Sequence, residues 1–339
     1  MSQSSVEIQN RHRAVTAYWF ILGFASALLI LLLSQQLTDT GVEIRANSSS
    51  SSSSSEYRFI NPLLACEIGD RLSKNYLRNF KSIVQSYTDD AQQSSPTLHI
   101  SVYYRDLNNG PWFGINEEEK FYPASLLKMP TLIAALKKAE TDHSFLEKKI
   151  IFGGSELHSI QIYPPRERLV ENQVYSVKEL LERMIRFSDN DAATLVAKLL
   201  GGDAHKTYTD IGIALPPEGG DDFMNVKEYS TFFRVLFNAG YLSKPSSELA
   251  LALLSSTDFT DGLRAGVPDT VPIAHKFGER SAQIGEKSYA QLHDCGIVYI
   301  PEHPYILCIM TRSSKFDELA SHITEISRIV YRELTKNTP

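Results

Sequence analysis

The chain is poor in cysteine, in clustered metal ligands and in positive charge, and each shortage excludes something. Three cysteines in 339 residues are too few for a disulfide scaffold. Cys295 and Cys308 are expected on neighbouring strands of a hairpin turning at Glu302-His303. That register sets Cys308 opposite Ile297, leaves the two sulfurs diagonal, and predicts buried free thiols. Cys66 closes Leu-Leu-Ala-Cys without an apolar run directly before it, so lipidation there is not expected. None of the nine histidines falls in a ligand-spaced cluster with Cys, Asp or Glu, and no metal or other cofactor is expected. A net charge of −6 gives no basic footprint for nucleic acid, which is set aside as a partner.

Hydrophobic content of 42% and charged content of 22% are ordinary for a globular protein with a real core. The N-terminus is less ordinary. Residues 14–33 form a run of 20 without a charge, long enough to span a bilayer as a helix. Arg11, His12 and Arg13 precede it, and the nearest charges after it are Asp39 and Glu43. The positive-inside rule puts residues 1–13 in the cytoplasm and the rest outside. The run exceeds a typical signal core of about 7–15 residues and lacks a neat cleavage site, so an uncleaved single-pass anchor is favoured over a signal peptide. Eight serines, Ser48 to Ser55, mark residues 34–56 as a flexible linker. Residues 57–339 then form a tethered extracytoplasmic domain at the cell membrane.

Helical spacing of Leu72, Tyr76, Phe80, Ile83, Val84 and Tyr87 predicts an amphipathic helix over 70–87. Leu98, Ile100, Val102 and Tyr104 alternate as in a strand, and a return strand starts near Trp112 after the Asn108-Asn109-Gly110-Pro111 turn. The middle reads as helices at 126–139, after the capping box Ser176-Val177-Lys178-Glu179, at 191–200, from Asn225, and at 249–254. Strands return at 273–278, 289–299 and 305–311, and residues 316–333 close the chain as a helix. The class is α+β. An antiparallel sheet from both chain ends is flanked by terminal helices, with an inserted all-helical lobe, and a site is expected in the cleft between them.

Three short motifs fall at that cleft. Ser125-Leu126-Leu127-Lys128 opens the first middle helix, where residues three apart share a face and the lysine amine can reach the serine hydroxyl. A serine is a weak nucleophile without a neighbouring base, and a lysine serves if burial and nearby cations leave it partly neutral. Ser188-Asp189-Asn190 lies between two helices, and Lys276-Phe277-Gly278 lies on the first strand after them. Each alone reads equally well as a helix cap or a strand-edge lysine. Together and in this order they resemble the S-x-x-K, S-D-N and K-T-G set of class A β-lactamases and penicillin-binding proteins, over roughly residues 71–335.

The resemblance implies Ser125 as acylated nucleophile, Lys128 as its base, and Ser188 as proton donor to the leaving nitrogen. It further implies Asn190 as a holder of the acyl side chain, Lys276 as a cation for Ser188 and a substrate carboxylate, and Asp189 as structural. The oxyanion would meet the backbone N–H groups of Ser125 and Glu279, while Gly278 allows close approach along the strand.

Two departures stand out. Phe277 replaces the family's hydroxyl, which puts carboxylate recognition in doubt and suggests a narrower strand side of the cleft. The loop that carries the β-lactamases' water-activating glutamate reads as mostly missing, with Glu218, Asp221 and Asp222 as weak substitutes. Residues 281–288 read as a loop bordering the cleft. The expected function is acyl transfer from peptidoglycan-like peptides or β-lactams through a persistent acyl-enzyme. The alternatives are a true β-lactamase and a catalytically weak module that binds cell-wall material or a partner.

Overall fold

The computed structural model describes residues 57–61, 74–108, 110–155, 161–215, 222–284 and 287–336. The expected tail, anchor and linker, Cys66, Glu218 and Asp221 lie outside the described residues. Among those described, no helix is long and apolar enough to cross a membrane.

Helix α1 (Lys74–Ser94) leads into β1 (His99–Asp106) and β2 (Trp112–Ile115). The inserted lobe holds α2 (Lys128–Thr141), a two-stranded sheet of β3 (Lys149–Ile151) and β4 (Val174–Ser176), then α3 (Val177–Arg186) and α4 (Asn190–Leu200). It continues through α5 (Asp203–Ile211), α6 (Val226–Phe237) and α7 (Lys244–Ser255). Strands β5 (Ile273–Ile284), β6 (Lys287–Val298) and β7 (Tyr305–Ser313) and helix α8 (Leu319–Thr335) complete the chain. The main sheet is antiparallel in the order β2-β1-β7-β6-β5. Strands from both chain ends meet at β1 and β7, and β5 is left as an edge.

Strand periodicity sorts the core into two layers. Ile100, Val102, Leu307 and Ile309 point toward α1 and α8, where they meet Phe80, Val84, Ile323 and Ile326. Ile306, Cys308 and Met310 point the other way, into the core shared with α2, α3, α6 and α7. Both N-caps expected from sequence are present as reciprocal capping boxes, at Ser176 with Glu179 and at Asn225 with Glu228.

Three expectations need correction. Val298 stands opposite Tyr305, so Cys295 and Cys308 are direct cross-strand partners and form a disulfide. Pro301 and Pro304 lack the N–H a ladder needs, and Glu302 takes a positive φ of 62°. The hairpin therefore centres one residue earlier than expected, and the register moves by two. Residues 281–284 and 287–288 are strand and not a loop at the cleft, because the β5–β6 ladder runs on to Ile284 and Lys287. The inserted lobe is not all-helical, since β3 and β4 pair within it; α4 does stop at Gly201 as expected, and α5, which carried no separate signal, follows it.

Candidate active site

Ser125 sits in the 3-10 turn Ala124–Leu127 that feeds α2. The turn packs on β5 at Gly278, where an added Cβ would lie 2.6 Å from the Pro123 carbonyl and 3.0 Å from the Leu126 nitrogen. Only glycine permits that approach, which brings the Ser125 turn against the edge strand. Ala124 (φ 52°) and Ser188 (φ 53°) both adopt the left-handed region without being glycine. Such residues cost on the order of 1–3 kcal/mol each and persist only where their surroundings hold them. One lies beside Ser125 and the other is Ser188 itself.

The lysine of the first motif brings all three motifs together. Lys128 Nζ lies 2.7 Å from Ser125 Oγ, 2.6 Å from Asn190 Oδ1, 2.9 Å from the Ser188 carbonyl and 3.1 Å from Ser188 Oγ. Lys276 Nζ, fully buried, donates to Ser188 Oγ at 2.9 Å and to the Phe277 carbonyl at 2.9 Å. The serine hydroxyls and lysine amines thus form a chain: Ser125, Lys128, Ser188, Lys276.

Burial lowers the Lys128 pKa from 10.5 to about 7, against the opposing pull of Asp189 and Glu279. Lys276 is lowered well below its ordinary value by burial and then by the charge of Lys128. A neutral lysine has two N–H donors and one lone pair. Lys128 can then donate to Asn190 Oδ1 and the Ser188 carbonyl while its lone pair accepts from the Ser125 hydroxyl. This is the arrangement a base needs.

Asp189 caps α4, accepting from the backbone N–H of Asp191 (2.8 Å) and Ala192 (3.1 Å). Its role is to hold the turn that presents Ser188 and Asn190. Behind β5, His275 Nδ1 lies 2.9 Å from the buried carboxylate of Asp294, which also accepts from the Leu263 N–H.

Beside Ser125 opens a cavity of about 470 Å³, lined among others by Tyr122, Lys128, Asn190, Thr194, Glu279 and Arg280. Ser125 and Glu279, whose backbone N–H groups were expected to face an oxyanion, both line it. Phe277 does not. Its ring stacks on Phe259 (centroids 4.2 Å apart, 18° between planes) and lines a separate hollow of about 180 Å³. It leaves the strand side of the cleft no narrower, contrary to expectation. The missing hydroxyl remains missing.

Asp222, the one described member of the three weak carboxylate candidates, is ion-paired to Arg312 and accepts from Gln291 Nε2 at 3.1 Å, away from the cavity lining. The carboxylate that does line the cavity is Glu279, named from sequence only for its backbone. Its oxygens accept from the N–H groups of Ile162 and Tyr163, both at 2.9 Å. Burial raises its pKa, with these two donors and the two lysines acting in the opposite direction. The segment 161–163 and Arg280 carried no signal in the sequence: no motif marks them, and the Glu279 carboxylate that holds Ile162 and Tyr163 is 116–117 residues away.

The description "Beta-lactamase enzyme family" belongs to a sequence profile that matches residues 80–334. A β-lactamase of Streptomyces albus G is 24% identical over 238 residues, covering 64% of this chain and 74% of that protein. Among solved structures, PBP-A superposes with a TM-score of 0.61 at 22% identity, covering 77% of this chain and 97% of that one. The TLA-1 extended-spectrum β-lactamase does so with a TM-score of 0.65 at 19% identity, covering 75% and 98%. With the profile spanning three quarters of its length, the chain belongs to the β-lactamase enzyme family, serine hydrolases acting on amide bonds.

Proposed function

We propose that this chain is a membrane-anchored, exported serine hydrolase whose Ser125 forms an acyl-enzyme with an amide substrate, a peptidoglycan-type peptide or a β-lactam. The observation that carries the reading is the four-fold coordination of a buried, readily deprotonated Lys128 by Ser125, Ser188 and Asn190.

In this mechanism Lys128 Nζ takes the Ser125 proton as Oγ attacks the carbonyl carbon. The backbone N–H groups of Ser125 and Glu279 receive the developing oxyanion. The proton passes through Ser188 Oγ, hydrogen-bonded to both lysines, to the nitrogen as the C–N bond breaks. Asn190, its carbonyl held by Lys128, keeps its amide N–H groups for the acyl portion.

Residues 14–33 supply the anchor, and the Cys295–Cys308 disulfide suits the oxidising side of a membrane. A second reading, a true β-lactamase, is favoured by the names of the curated relatives. It differs only in the fate of the acyl-enzyme.

Intact mass of the full chain in detergent, after incubation with benzylpenicillin or its methyl ester, tests both. An adduct on the wild type that is lost in Ser125→Ala supports the acyl-enzyme. A lasting adduct favours the penicillin-binding behaviour, and turnover of the drug favours the β-lactamase. No adduct and no turnover with either donor sinks the reading.

A further inference from the structure

One side of the cleft is closed by the chain itself. Gln161 Nε2 donates to the Ser188 carbonyl at 3.2 Å, and the next two backbone N–H groups, of Ile162 and Tyr163, donate to Glu279. Residues 161–163 therefore strap the loop before α4 to the edge strand β5. Tyr163 wedges between Phe259 (centroids 5.0 Å, 83°) and Phe277 (5.8 Å, 80°), and its hydroxyl donates to Asp261 at 3.4 Å. Phe277 and Glu279 act as a pair. The ring packs under the strap from one face of β5, and the carboxylate accepts its N–H groups at the edge.

The charge of Glu279 also has an effect of its own. Its carboxylate acts on both Lys128 and Lys276, opposing the fall in their pKa values. Two adjacent lysines would otherwise be the counter-charge for an anionic substrate. Here a built-in carboxylate, held by the strap, already acts on both lysines, and Phe277 offers no hydroxyl to hold another. Arg280, the other cation lining the cavity, is drawn over the Tyr122 ring at 4.0 Å. A carboxylate arriving on the Ser188 side meets the like charge of Glu279.

We infer that Glu279 is a specificity-determining residue that stands in for a substrate carboxylate, so that the site acylates from amides or lactams carrying no carboxylate on the leaving-group side. The inference rests on the acyl-enzyme reading, in which Ser188 marks that side.

The acylation rate of Ser125 by benzylpenicillin and by its methyl ester, read by intact mass on the full chain, compares the same lactam with and without the charge. The ester is expected to react at least about tenfold faster on the wild type, since like-charge juxtaposition at a desolvated site is worth several kcal/mol. Glu279→Gln, which keeps size and removes charge, should raise the rate with the acid at least about tenfold and abolish the preference. The wild-type ratio needs no variant to fold. An adduct forming as fast from the acid as from the ester overturns the inference while leaving Ser125 as nucleophile. So does a preference that Glu279→Gln leaves unchanged. Neither adduct nor turnover with either donor overturns the acyl-enzyme reading and this inference with it.

Discussion

Raising the pH from 6 to 8 should speed acylation of Ser125 about tenfold, and raising it further should do little. A base must be neutral to take a proton, and a lysine with a pKa of about 7 is neutral in about one molecule in eleven at pH 6 and about ten in eleven at pH 8. An ordinary lysine, near 10.4, would be neutral in roughly one molecule in 2,500 at pH 7, and its rate would climb tenfold per unit past pH 9. The groups facing Lys128 act in known directions: Asp189 and Glu279 raise its pKa. Glu279→Gln should therefore move the midpoint to lower pH. The assay is the initial acylation rate by benzylpenicillin methyl ester between pH 5 and 10, read by quenched intact mass. A rate still climbing tenfold per unit above pH 8 would mean that the fold does not depress Lys128. A flat profile from pH 5 to 9 would remove Lys128 as the base.

The same titration has a signature in stability. The folded pKa lies below the unfolded one, so between about 7 and 10.4 the unfolded chain binds more protons and stability rises with pH. The whole window corresponds to about 5 kcal/mol, and the part between pH 7 and 9 to about 2 kcal/mol. Lys128→Met lacks this contribution. The unfolding free energy of the wild type, measured relative to that variant, should rise by about 2 kcal/mol over those two units. A difference that stays constant with pH contradicts the assignment.

Three further outcomes are expected. Gly278→Ala should push the Pro123–Leu126 turn away from β5, destabilise the fold by about 1–3 kcal/mol as overpacking does, and slow acylation at least tenfold; a variant with wild-type kinetics would show that the close approach does not position Ser125. Replacing Cys295 and Cys308 together by alanine should lower the unfolding free energy by about 3 kcal/mol, the value for a closed loop of this size, and denaturant titration measures it. Glu248 accepts backbone N–H groups from Arg58, Phe59 and Ile60 at 2.8–3.1 Å. Glu248→Ala should free that segment at a local cost of about 2 kcal/mol, seen as faster proteolysis within 57–61 while acylation is unchanged.

Much of this molecule can be read without coordinates because its chemistry depends on local spacing. Ser125 and Lys128 share one helical turn, and Asp189 announces itself as a cap. The boxes at Ser176 and Asn225 are short-range hydrogen bonds between residues three apart. What escaped reading depends on distant partners. The disulfide turned on where a hairpin centres between Pro301 and Pro304, and a shift of one residue there decides whether two sulfurs meet. The strap at 161–163 has no motif, because two of its donors are backbone N–H groups meeting a glutamate on β5 and the third, Gln161 Nε2, meets a backbone carbonyl. Phe277 was visible as a departure, but the face of the strand on which its ring packs was not. That depended on Phe259 and Tyr163 waiting on the far side.

An edge strand of 12 residues such as β5 is also a hazard, since its unpaired backbone groups invite another chain to add itself. The opposite edge, β2, has only 4 residues and offers little to pair with. On β5 the Ser125 turn covers Gly278 and the strap covers Glu279, so this stretch beside the cavity is shielded from a second sheet. Releasing the strap would uncover it. The glutamate that screens substrates by charge would then also keep this protein from pairing with itself, and concentration-dependent association of Glu279→Ala would be the sign that one latch performs both tasks.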